Sequence, residues 1–230
     1  MSSVNSFRIN FKGGIVSPGD LYNILVAATR ASCSQVSFGL RQELFIMVEP
    51  ENSVILETEL NSLNIFYQVN SDKFPCIVSS YPAEEIFITN TWVSEGVYKD
   101  IFDQVDFIPR LKLNISDSNQ SFTPMLTGNI NWVASVNAAH FWHLFIRFPK
   151  TNIVCEWDRL VYTNDIAKLS KIVEQLMLEQ EQQSGGEERF NGDRLFDKIK
   201  NLSNHLFHIY KTTQTNIIIG MIGTSFVTFK

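Results

Sequence analysis

The sequence predicts an α+β protein in which a βαβαβ unit packs on a second mixed α/β region, followed by a C-terminal helical extension. Three observations predict it. Residues 7–11 alternate with period two, as a half-buried strand does. Two helical segments follow, one with an N-cap and one with a leucine stripe. Runs rich in β-branched residues then return the chain to a sheet. At 230 residues and 44% hydrophobic content, the chain can bury a sizeable core as one large domain or as two units sharing an interface.

Residues 1–80 form the first unit. The strand at 7–11 ends at Gly13-Gly14. Ser17 can cap the next helix, Pro18 suits its first turn, and Asp20 sits near the positive end of the dipole, so a helix runs to about Ala31. Residues 36–48 read as one long strand, part of which extends beyond the sheet. Leu56, Leu60 and Leu63 place an apolar stripe on a helix from about Asn52. Residues 65–69 and 77–79 are the next extended pieces, and right-handed crossovers between parallel neighbours are the expected connections.

Residues 81–178 form the second region. Its first part, to about Asp103, is partly helical from Pro82, with Glu84 and Glu85 in the first turn. Residues 110–116 alternate as a strand, with Leu111, Leu113 and Ile115 on one side and Arg110, Lys112, Asn114 and Ser116 on the other. A polar loop at 116–121 turns the chain through hydrogen bonds to its own backbone. Residues 129–134 and 141–148 are strands. Their aromatics, Trp132, Phe141, Trp142, Phe145 and Phe148, belong to a core and not to a stacking platform, because no basic residues surround them. Thr163 or Asn164 caps a helix to about Glu181. Residues 179–193, dominated by Glu, Gln, Ser and Gly, read as a linker or mobile loop. Residues 194–230 carry an amphipathic helix over 194–210 and an Ile-rich segment of strand character. No turn signal precedes Lys230, so the natural protein is expected to continue.

Charge and spacing exclude several function classes. With 19 basic against 24 acidic side chains and no Lys/Arg run, sequence-independent nucleic-acid binding is disfavoured. The N-terminus lacks the pattern of a secretory signal, so a cytoplasmic location is expected. The apolar tail is broken by Gly220, Gly223, Thr224 and Ser225 and is too short to span a bilayer. Cys33, Cys76 and Cys155 are far apart and without CxxC spacing, which argues for buried thiols over a disulfide framework or zinc ribbon. His140/His143 and His205/His208 have i, i+3 spacing, yet no carboxylate cluster completes a metal set, so they read as surface or half-buried histidines. No nucleophile elbow, P-loop or dinucleotide fingerprint is present.

Short motifs carry a family resemblance. Gly39-Leu40-Arg41-Gln42 stands where nitrite and sulfite reductases have Thr-x-Arg-Gln, and Pro109-Arg110-Leu111-Lys112-Leu113 where they have Pro-Arg-Lys-Phe-Lys. Gly128-Asn129-Ile130-Asn131 is similar to their turn into a strand, without its Asn-Asp pair. Over residues 7–149 the chain resembles the substrate-side, ferredoxin-like half-domain of that family. The resemblance implies a ferredoxin-like fold for residues 1–80. It also implies that Arg41, Arg110 and Lys112 converge on a cleft that binds a small oxyanion through charge-assisted hydrogen bonds. A further substrate-side arginine is missing where Asp72 leads into Pro75-Cys76.

The family's iron–sulfur cluster takes four cysteines in close pairs, one also bridging to siroheme. Three isolated cysteines cannot supply them, so this chain alone is not a complete siroheme reductase and no cofactor is expected within it. Proteins with a similar amino-terminal half carry a rubredoxin-type iron module further along. The implied function is thus a degenerate reductase-like module of an electron-transfer protein, with iron downstream and a redox partner. The competing reading is a non-redox small-molecule or protein-interaction module that kept only the fold. Because the family's halves pack face to face, a homodimer is a further implication.

Overall fold

The structure, a computed structural model, describes residues 4–33, 35–71, 75–87, 91–149, 151–183, 191–203, 209–211, 217–219 and 227–229. Asp72, His205 and His208 lie outside the described residues, as do residues 184–190 of the expected linker.

Four strands make the first sheet: β1 (Asn5–Asn10), β2 (Val36–Phe38), β3 (Glu43–Val48) and β4 (Tyr67–Val69). Its order is β2-β3-β1-β4, and every pairing is antiparallel. Two helices, α1 (Pro18–Arg30) and α2 (Ser53–Ser62), cover one face. There Phe7, Ile9, Leu44 and Ile46 meet Ile24, Ala27, Leu56 and Leu60 in a core of their own. The result is the βαββαβ ferredoxin-like unit within an α+β chain. Ser17 caps α1 as expected, accepting a hydrogen bond from Asp20 N at 3.0 Å.

Three expectations need correction. Residues 36–48 are a hairpin rather than one strand, because the chain reverses at residues 39–42: Gly39 N donates to Glu43 O at 2.8 Å and Gln42 adopts a φ of 57°. A Cβ at Gly39 would lie 2.6 Å from Glu43 Oε1, so the reversal needs glycine there. The extra strand makes the sheet antiparallel, so the crossovers skip a neighbour instead of joining parallel ones. Finally, β5 (Cys76–Ser79) pairs not with the first sheet but with the second.

The second sheet has the order β10-β9-β8-β7-β6-β5. Here β5, β6 (Lys112–Ser116) and β7 (Ile130–Ala134) are parallel, whereas β8 (Phe141–Arg147), β9 (Val154–Tyr162) and β10 (Ile209–Lys211) add antiparallel neighbours. α3 (Tyr81–Ile86) and α4 (Glu95–Gln104) connect β5 to β6, and α5 (Ile166–Gln183) and α6 (Gly192–Ser203) close the core. Trp132 and Trp142 are fully buried, and their indole N–H groups donate to Ser170 Oγ and Thr163 Oγ1, so burying them leaves no polar group unsatisfied.

Thr163 itself belongs to a short 3-10 turn before α5 and gives its hydroxyl proton to His140 O, so neither it nor Asn164 caps that helix. α5 runs to Gln183, into the stretch read as linker. The helix expected over 194–210 spans Gly192–Ser203 among the described residues, and Tyr210 lies instead in Ile209–Lys211, which extends the sheet by pairing with β9. β11 (Ile217–Ile219) and β12 (Val227–Phe229) pair with each other, in keeping with the strand character of the tail.

Alternation along β1 and β3 sends Arg8, Asn10 and Glu43 to the face opposite α1 and α2, toward the second unit. Asn10 Nδ2 donates to Pro75 O at 3.1 Å. The 3-10 turn Lys12–Gly14 fastens the units at one end: Lys12 Nζ donates to Phe102 O and Val105 O at the C-terminus of α4, and Ser79 Oγ donates to Gly13 O. A lysine there adds a charged donor to carbonyls at the helix end and complements its dipole.

Candidate anion cleft and the polar interface behind it

The unusual polar side of β6 has a structural destination. Asn114 and Ser116 are buried, and Asn114 faces the ferredoxin-like unit. Arg41, held at the β2–β3 reversal, reaches across to it. Its Nη2 donates to Asn114 Oδ1 at 2.7 Å, its Nη1 to Thr127 Oγ1 at 3.2 Å, and its Nε to Cys76 Sγ at 2.8 Å. Gln42 beside it clasps β5, accepting from Ser79 N at 2.9 Å and donating to Ser79 O at 2.7 Å. Both motif residues therefore bond the two units together.

Two cations and one carboxyl are buried at this interface. Arg8, Arg41 and Glu43 expose only 3%, 9% and 6% of their surface. Burial raises the Glu43 carboxyl above its ordinary value, against the opposing pull of Arg8, Arg41 and Lys112. Burial likewise raises the Cys76 thiol despite the nearby Arg41, so Cys76 acts as a neutral acceptor and not as a reactive thiolate. Arg8 donates to Gln68 Oε1 on β4.

Arg110 and Lys112 lie on the other side of Thr127, along a cleft of about 650 Å³ that Arg41 does not line. Arg147, at the end of β8, joins them. Asn129 gathers these strand ends: its Oδ1 accepts from Lys112 N at 3.1 Å, its Nδ2 donates to Arg147 O at 3.0 Å, and its carbonyl accepts from Arg147 N. Glu174 on α5 fixes the approach to β6, since its Oε2 accepts from Arg110 N at 2.6 Å and Leu111 N at 2.7 Å. Burial pushes the Glu174 carboxyl up, and those two hydrogen bonds pull against it. Arg147 Nε and Nη2 donate to Thr151 O and Asn152 Oδ1, which orients its guanidinium on the cleft wall.

Of the three basic residues singled out by sequence, Arg110 and Lys112 share one cleft and Arg41 is committed to the interface behind it. Sequence reasoning missed Arg147, Arg8 and Glu43. A signal for Arg147 exists: Arg147-Phe148-Pro149 leaves an apolar strand much as Pro109-Arg110-Leu111 enters one. Arg8 and Glu43 alternate correctly as polar strand positions, and nothing local marks that face as buried.

The three cysteines, too few for the family's four-cysteine cluster, stand in separate parts of the fold. Cys33 follows α1, Cys76 is bonded to Arg41, and Cys155 lies against Gly192 at the start of α6; all are free. Among the described residues, no group of three or more His, Cys, Asp or Glu side chains could hold a metal ion. His143 Nδ1 lies 3.5 Å from the Glu156 carboxylate, and the His140 ring packs on Trp92. No helix among the described residues is long and apolar enough to cross a membrane.

No family model matches this chain, and no curated protein matches its sequence. Among solved structures, the NirA protein of Mycobacterium tuberculosis is similar, with a TM-score of 0.55 at 14% identity over 86% of this chain and 38% of NirA. The chain thus spans well under half the length of NirA, and it shares with that protein an α+β fold containing a ferredoxin-like unit.

Proposed function

We propose that this chain is the anion-binding module of a degenerate nitrite/sulfite reductase-like electron-transfer protein. The observation that carries the binding half is the cleft lined by Arg110 and Lys112 at the start of β6 and by Arg147 at the end of β8, the two strands that flank β7. Two guanidinium groups and an ammonium in one lining suit a carboxylate or similar oxyanion, which they would bind through charge-assisted hydrogen bonds. The electron-transfer half rests on the fold shared with NirA and on the reductase-like motifs. Three separate cysteines cannot supply the four ligands of a cluster, so in this reading the iron sits in a companion module of rubredoxin type, as the resemblance implies.

Titration calorimetry with sulfate and nitrite at low ionic strength tests the binding half, since added salt screens exposed charges. The expected outcome is saturable binding that Arg110→Ala or Lys112→Ala each weaken by about tenfold, in line with the loss of ~1.5 kcal/mol for one charge-assisted hydrogen bond. Binding unaffected by the double substitution overturns the site. Iron content and visible absorbance of the protein from its complete reading frame, beside the 230-residue chain, test the other half. Iron in the longer product alone supports it; iron in neither favours a non-redox binding module on the same fold.

A further inference from the structure

The cleft is far larger than a bare oxyanion requires, and its walls are not uniformly basic. Its volume of about 650 Å³ falls within the ~300–1,000 Å³ typical of sites for organic ligands. A water claims about 30 Å³ of liquid volume, so an ion of four oxygens fills only a small part of this space. Beside the three cations, Pro75, Pro149 and Leu178 supply apolar wall, and Glu181 on α5 adds one negative charge.

Building on the anion-binding reading, we propose that the ligand is an organic monoanion with a hydrocarbon body. Its carboxylate or similar head sits at Arg110, Lys112 and Arg147. Its chain lies against Pro75, Pro149 and Leu178, where covering apolar surface adds free energy that an inorganic ion cannot gain. The rest of the molecule carries no second negative charge, because Glu181 in the lining opposes one. The cleft therefore selects by length and by charge count, with α5 contributing both Leu178 and Glu181 to the selection.

Calorimetry on the full chain with sulfate, acetate, hexanoate and adipate tests this. Two buried methylenes at about 0.8 kcal/mol each correspond to roughly a tenfold change in affinity, so hexanoate should bind at least about tenfold more tightly than acetate. Adipate, of the same length but with a second carboxylate, should bind more weakly than hexanoate. Glu181→Gln should narrow that gap by strengthening adipate more than hexanoate, and Leu178→Asn should weaken hexanoate more than sulfate. Sulfate or acetate binding as tightly as hexanoate overturns the hydrocarbon-body assignment but leaves the anion module standing. Adipate binding as tightly as hexanoate overturns the role of Glu181. If none of the four binds, the anion module falls as well.

Discussion

Arg41 and Arg110 come from similar motif signals, yet their surroundings assign them opposite costs on removal. Arg41 is buried and gives hydrogen bonds from its Nε, Nη1 and Nη2 to Cys76, Thr127 and Asn114, so Arg41→Ala strands buried acceptors and leaves Glu43 with less positive charge nearby. Leaving buried acceptors without their donor costs about 1–3 kcal/mol. Urea denaturation should show a loss of that order for Arg41→Ala and little recovery with Arg41→Lys, because one ammonium head cannot reproduce a planar fork. Arg110 is exposed, and its hydrogen bond to Glu174 comes from the backbone N–H, which the substitution keeps, so Arg110→Ala should shift stability by no more than about 0.5 kcal/mol. Equal losses in the two variants would contradict this division between an interface arginine and a cleft arginine.

Among the elements, the 3-10 turn Lys12–Gly14 shows how a short sequence feature acquires a long-range role. Gly13-Gly14 is legible as the end of a strand, but the sequence does not show that Gly13, at a φ of 67°, lies beneath the Phe102 ring, where a Cβ would come within 2.2 Å of Cζ. Gly13→Ala combines a left-handed backbone penalty of about 1–2 kcal/mol with overpacking of about 1–3 kcal/mol. A thermal or urea midpoint should therefore fall by an amount equivalent to roughly 2–5 kcal/mol; an unchanged midpoint would mean that Phe102 yields freely. The same contrast governs what could be read in advance. The cap at Ser17 and the stripe of Leu56 and Leu60 depend on near neighbours and appear in the structure, as does the strand read over residues 110–116, although it begins only at Lys112. The reversal at residues 39–42 carries no Asn-Gly or Pro-Gly signal, so the β-branched residues on both sides merged into one apparent strand. Strand β9 escaped for the opposite reason: Val154–Tyr162 mixes Glu156, Asp158 and Arg159 into a segment with no clean alternation. The placement of β5 depends on its partner β6, which lies more than thirty residues away and cannot be inferred from Cys76–Ser79 alone.

At the scale of the whole molecule, two separate apolar cores meet across a polar seam, so ionisation within the seam acts on the association of both units. Glu43 is the acid at its centre, facing Arg8 from β1, Arg41 from the β2–β3 reversal, Lys112 from β6 and the Cys76 thiol from β5. Its folded-state value is raised from 4.5, with desolvation as the largest cause, so the folded protein holds this proton to a higher pH than the unfolded chain does. Below 4.5 both states are protonated and the contribution of Glu43 to stability is fully present. As the pH rises through the folded value, the unfolded chain has already released its proton while the folded one must give it up in a buried seam, and stability is lost. Glu174 shifts in the same direction and adds to the trend. Glu43→Gln mimics the neutral acid, so its urea midpoint should match that of the wild type near pH 4 and exceed it progressively toward neutral pH. The opposite trend, with the wild type gaining on the variant as the pH rises, would mean that attraction from Arg8 and Arg41 outweighs desolvation and that the seam is held by ion pairing.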